Sequence, residues 1–108
     1  MRRDYRIVFL TDFIETNLAD THLSVGHVAT QLRLSQSRVR QLMRQHMNTS
    51  LKHYIRERRL SRARELLRSS FLSVKEVMAK VGVSDPSHFS KDYKRRFKIA
   101  PGQDRLQG

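Results

Sequence analysis

Residues 73–97 read SVKEVMAKVGVSDPSHFSKDYKRRF, and their punctuation decides the fold. Ser73, with Glu76 three residues on, is a capping box, in which each side chain satisfies a free backbone N–H at a helix start. Val74, Val77, Met78 and Val81 recur at threes and fours, so one face of that helix is apolar. Gly82 follows where a helix end wants a left-handed residue. Asp85 then caps a second helix, with Pro86 at the first position, where its missing N–H costs nothing. Phe89, Tyr93 and Phe97 give this second helix an inward stripe. Two short helices joined by a tight turn form a helix-turn-helix unit.

The unit occurs twice. Leu23-Ser24-Val25 recurs as Leu72-Ser73-Val74, Val28 as Val77, and Ser35 as Ser84. One residue later in register, Val39, Met43 and Met47 answer Phe89, Tyr93 and Phe97. In the first copy Ser24 caps a helix carrying Val25, Val28, Ala29 and Leu32 on one face. Arg33-Leu34 is the turn, and Ser35 caps a helix with Val39, Leu42 and Met43 inward. Both stripes have helical spacing and are read as core rather than as base-stacking platforms.

Residues 51–69 join the units as one long helix, with Leu51, Ile55, Leu60, Ala63 and Leu67 on an inward stripe and Arg56, Arg58, Arg59, Arg62 and Arg64 largely elsewhere. At 1.5 Å per residue such a helix is about 28 Å long. One turn of B-DNA advances roughly 34 Å, so a linker of that span could hold two helices in successive major grooves. Residues 5–19 are also helical by pattern, through Ile7, Leu10, Phe13, Ile14 and Leu18, and are expected to pack on the first unit. The expected organisation is therefore all-α: residues 1–50, an N-terminal helix plus the first unit; 51–69, the linker helix; 70–108, the second unit and a C-terminal helix.

Composition bounds the chemistry. With 108 residues the chain is too short for an enzyme with separate cofactor and substrate halves. The absence of cysteine excludes disulfides, thiolate metal sites and a cysteine nucleophile. Twenty-two Lys and Arg against ten Asp and Glu leave a net charge of +12, which favours a polyanionic partner. The excess is not uniform: residues 35–68 hold ten basic and two acidic side chains, whereas 1–34 hold four of each. It decorates periodic segments, not a tail. The longest N-terminal apolar run, Ile7–Leu10, is far too short for a membrane span, so no membrane partner and a cytoplasmic location are expected. The five His are scattered without an obvious third ligand, and Asp12 with Glu15 has no cleft, so no metal, no cofactor and no catalytic residue is expected.

Two further strings carry a resemblance. Ser35-x-Ser37-x-Val39-x-x-Leu42-x-Arg44 continues to Ser50-x-x-x-Tyr54-Ile55-x-x-x-Arg59-Leu60-x-x-Ala63-x-x-Leu66-Leu67. Val81-Gly82-Val83-Ser84-Asp85-Pro86-Ser87-His88-Phe89-Ser90-Lys91-x-Tyr93-Lys94-x-x-Phe97 is followed by Pro101 and Arg105. Together they resemble the DNA-binding module of AraC/XylS-type transcription regulators over residues 8–105. The resemblance implies seven helices, double-stranded DNA as partner, and transcription control. RNA polymerase or other transcription machinery is a further expected partner. Family members often carry a separate effector-sensing or dimerising domain, so a stand-alone short member and an excised C-terminal module are both open. Asn48 stands where the family usually has Gly, and Met43 where it has Phe. Ala100 replaces a capping Ser or Thr, and Asp104 replaces an aromatic; these last two put the order of the final helix in question.

Recognition-helix geometry then selects residues. The first turns enter the groove, and outward positions there see base edges. That leaves Gln36, Ser37, Arg40 and Gln41 in the first unit, and Ser87, His88, Lys91 and, at the margin, Asp92 in the second. Arg suits guanine and Gln suits adenine in bidentate pairs. Arg44, Lys94 and Arg95 sit farther along and are assigned to phosphates, as is the helix start at Ser50. The competing reading is a nonspecific basic protein that coats nucleic acid, which would need no duplicated turn geometry.

Overall fold

Four serines and two aspartates start the helices. The computed structural model describes residues 4–105, and among them the order is α1 (Tyr5–Thr16), α2 (Val25–Leu32), α3 (Gln36–Met47), α4 (Leu51–Ser69), α5 (Val74–Lys80), α6 (Pro86–Phe97) and α7 (Pro101–Asp104). Asp4, Ser24, Ser35, Ser50, Ser73 and Asp85 each accept a backbone N–H from the first turn of the helix they cap. Each such cap is worth about 1 kcal/mol. The expected capping box at Ser73 and Glu76 is complete in both directions. Helices α2, α3 and α6 end on left-handed Arg33, Asn48 and Lys98, with φ of 57°, 54° and 67°. Asn48 thus fills the cap that glycine usually fills.

Two cores form, and α4 belongs to both. Ile7, Leu10 and Ile14 of α1 pack with Val28, Ala29, Val39 and Met43, and α4 adds Leu51 and Ile55. Farther along the same helix, Leu60, Ala63 and Leu67 pack with Val77, Met78, Val81, Phe89 and Tyr93. Full burial of one such aliphatic or aromatic side chain is worth about 1.5–3 kcal/mol.

The units also touch directly. Gly82 has φ of 77°, and a Cβ placed there would overlap the Leu18 carbonyl oxygen and crowd Ala19 and the Arg59 guanidinium. Glycine is required twice over: for the left-handed backbone, and for the close approach of the second unit to the first. Arg59 completes the junction by donating to the carbonyls of Leu18 at 3.2 Å and Asp20 at 2.6 Å. Arg58 pairs with Glu15 of α1, so Glu15 is a structural partner of the linker helix.

The final helix corrects an expectation. Ala100 indeed provides no side-chain cap, yet α7 is formed, and Asp104 is fully buried. The pocket that takes Asp104 is charged, not apolar. Arg68 donates to its carboxylate at 2.7 and 3.1 Å, Arg64 lies at 3.1 Å, and the Tyr93 hydroxyl donates from the second core. Arg64 also lies over the Phe97 ring, 4.5 Å from its centroid. Arg105 adds hydrogen bonds to the carbonyls of Ser70 and Leu72. Where an aromatic is usual, the chain uses a carboxylate clasp joining α4, α6 and α7. Burial alone would favour the neutral acid, but the Tyr93 hydroxyl and the two arginines outweigh it and hold the Asp104 carboxyl below the usual range. Burial, with the carboxylate beside it, pushes the Tyr93 phenol up.

Two expectations follow. Asp104→Asn keeps the shape and removes the charge, and urea unfolding at neutral pH should show a loss of about 3 kcal/mol. Because the folded carboxyl titrates below its unfolded value near 3.9, its contribution is intact above that value. It is lost as pH falls through the folded pKa, so the gap between parent and variant should close in acid. A gap unchanged down to about pH 3 would contradict the ion-paired clasp. Gly82→Ala should cost at least about 1–3 kcal/mol in backbone strain alone. Gly102, with nothing near its Cβ position, should tolerate alanine within about 0.5 kcal/mol. Equal effects in thermal unfolding would remove Gly82 from the junction.

Candidate nucleic-acid interface

The second helix of each unit, α3 and α6, buries one stripe and exposes the other. Val39, Leu42 and Met43 are buried, while Gln36, Ser37, Arg40, Gln41 and Arg44 are exposed. Phe89 and Tyr93 are buried, while Ser87, His88, Lys91, Lys94 and Arg95 are exposed. Asp92 differs from these: its side chain is only 12% exposed.

Several exposed groups are already ordered by neighbours on their own helix. Arg38 donates to Gln41 Oε1 at 2.6 Å, and Arg40 to Gln36 Oε1 at 3.5 Å. Such pairs one helical turn apart are worth only tenths of a kcal/mol, so a stronger partner would displace them. Ser50 is half-buried and uses its hydroxyl to cap α4, accepting from the His53 N–H at 3.1 Å.

A cleft of about 910 Å³ lies between the two units, floored by α4. Arg40 and Arg44 of α3 stand on one side, and Asp85, His88 and Asp92 of the second unit on the other. Ser50 lines it too. Five of the residues selected from the sequence, Arg40, Arg44, Ser50, His88 and the marginal Asp92, therefore meet at one opening. Gln36, Ser37, Gln41, Ser87, Lys91, Lys94 and Arg95 do not line it; they lie on exposed helix surface beyond.

The cleft brings in three cations that the recognition-helix argument passes over, Lys52, Arg56 and Arg59 of α4. Lys52 and Arg56 are exposed, whereas Arg59 is half-buried. The linker arginines are not equivalent. Arg58 pairs with Glu15, Arg59 with the Leu18 and Asp20 carbonyls, Arg62 with Glu65, and Arg64 and Arg68 with Asp104. Arg56 has no ion-pair partner among the described residues and faces the opening. Nothing in the local sequence distinguishes it from Arg58 or Arg62; only the fold does. No group of three potential metal ligands occurs among the described residues, and no helix there is long and apolar enough to cross a membrane.

Comparison with known proteins fits this geometry. A helix-turn-helix domain family matches residues 28–107. The chain is 34% identical to the transcriptional regulator CdhR of Pseudomonas aeruginosa over 83 residues, covering 77% of this chain and 25% of the relative. It is 30% identical to the arabinose operon regulatory protein of Salmonella typhimurium over 102 residues, covering 94% and 36%. A crystal structure of an AraC-type regulator from Chromobacterium violaceum superposes with a TM-score of 0.85 at 29% identity, covering 94% of this chain and 90% of that one. The chain spans a quarter to just over a third of the length of these two curated relatives. Its duplicated units, shared linker helix and matched sequence place it in the AraC/XylS family of helix-turn-helix proteins.

Proposed function

We propose that this chain is the sequence-specific, double-stranded-DNA-binding part of a transcription regulator, with α3 and α6 in successive major grooves. One observation carries the reading: the exposed stripes of both second helices flank a single opening on one shared helix. The matching relatives are named as operon and transcriptional regulators, which supports the same role. The chain acts as a binding module, not as an enzyme. Its place of work is the cytoplasm, with RNA polymerase or its associated factors as a second partner. The extra length of the relatives supports a separate sensing or dimerising domain beside this one.

Gln36, Ser37, Arg40 and Gln41 read base edges in one groove, and Ser87, His88 and Lys91 in the next. Arg44, Lys94, Arg95 and the α4 start at Ser50 hold phosphates. Lys52 and Arg56, at the cleft, hold the backbone that crosses between the two grooves.

Selection from a random duplex library tests this. It should yield two short blocks about 10 base pairs apart, centre to centre. With roughly 6–10 phosphates neutralised, log affinity should fall with log salt at a slope near −0.9 per contact. Arg40→Ala should cost about 1–3 kcal/mol on the selected site and relax preference in one block only. Equal weakening on every sequence would move Arg40 to the phosphates. Tight binding with no enriched sequence would favour the nonspecific coating protein instead.

A further inference from the structure

On α6, two exposed basic side chains lean on one nearly buried carboxylate. His88 Nε2 lies 3.1 Å from Asp92 Oδ2, and Arg95 Nη1 lies 3.7 Å from Asp92 Oδ1. The His88 side chain is 69% exposed and that of Arg95 74%. Spacings of four and three residues put all three groups on one helix face. Asp92 lines the main cleft and also a smaller recess beside Arg56, Glu57 and Leu60 of α4, so the linker helix backs it.

Stability gives this carboxylate little reason to be there. Ion pairs with such exposed partners add little to folding. A negative charge beside a phosphate backbone also opposes binding. What the arrangement does is orient. A carboxylate 3.1 Å from Nε2 draws that edge of the imidazole toward itself and so fixes the orientation of the ring. The other ring nitrogen, Nδ1, is then the polar atom left for a base. While Nε2 holds the proton of a neutral ring, Nδ1 is an acceptor and suits the exocyclic amino group of adenine or cytosine in the major groove. A ring free to turn would offer either nitrogen, as donor or acceptor, and would discriminate less.

We infer that Asp92 is a positioning residue for sequence readout: by holding Nε2 of His88 and the guanidinium of Arg95 it fixes what the His88 ring offers to a base pair, and so sets the preference of the second unit. The inference rests on α6 entering a major groove. It also moves Asp92 from the margin of the base-reading residues to a role behind them.

The test uses the full chain and random-duplex selection on the parent, His88→Ala, Asp92→Ala and the double variant, with Asp92→Asn as the conservative replacement. His88→Ala and Asp92→Ala should relax preference at the same base pair of the second block, roughly tenfold each, and leave the first block unchanged. The double variant should relax it no further. Asp92→Asn keeps an acceptor and should restore part of the preference. Asp92→Ala should also bind random-sequence duplex several-fold more tightly, since a charge opposing the phosphates is gone. A carboxylate with only a structural role would give equal weakening in both blocks and a lower melting temperature. That result overturns the inference, as does loss of preference in His88→Ala alone. If the parent itself shows no second-block preference, α6 does not read bases, and both this inference and the reading beneath it fail before any substitution is compared.

Discussion

One helix is shared by two hydrophobic cores, and the rest of the architecture depends on that. Leu51 and Ile55 at the start of α4 are buried by the first unit, and Leu60, Ala63 and Leu67 near its end by the second. A helix anchored at both ends cannot turn without opening one core. The relative phase of α3 and α6 is therefore set by packing inside each unit. Gly82 against Leu18 and Arg59 across the Leu18 and Asp20 carbonyls then close the remaining freedom between the units. The result is a pair of exposed helix faces at a fixed separation, which a duplex with a fixed repeat can match.

The basic charge divides into two populations. Arg58, Arg59, Arg62, Arg64 and Arg68 are engaged within the protein, with carboxylates or backbone carbonyls. Arg40, Arg44, Lys52 and Arg56 open onto the cleft. A net charge of +12 thus overstates the charge aimed at any one partner, although all of it contributes to the long-range attraction of a polyanion. The two acidic residues at the cleft, Asp85 and Asp92, are likewise engaged, one as the cap of α6 and one with His88 and Arg95.

Local signals were legible in the sequence, and long-range ones were not. The polar caps at Ser24, Ser35, Ser73 and Asp85, the Arg33-Leu34 turn and the Asn48 left-handed residue all depend on neighbours within four positions, and the sequence displays those neighbours directly. The fate of Asp104 depends on Arg64 and Arg68, some 36 or more residues away, so the missing aromatic looked like a defect instead of half of an ion-paired clasp. Gly82 showed one of its two reasons, the helix end, while its contact with Leu18 required the fold. The same holds for the candidate site. Which stripe of α3 or α6 faces outward follows from periodicity, but separating Arg56 from Arg58, or seeing that Asp92 is tucked behind His88, requires the packing of α4 against both units.

The central claim is that the two recognition helices are held in one phase, and the DNA can test it without touching the protein. Binding should be measured to the selected site with base pairs inserted between its two blocks, one at a time. Five added base pairs turn the second block about half a helical turn away, to the opposite face of the duplex. A rigid pair of units predicts that affinity then falls to that of a single block, and that ten added base pairs, which restore the face but not the distance, do not recover it. Affinity that is unchanged by five added base pairs would show that the two units dock independently, and the account built on a shared helix would be wrong.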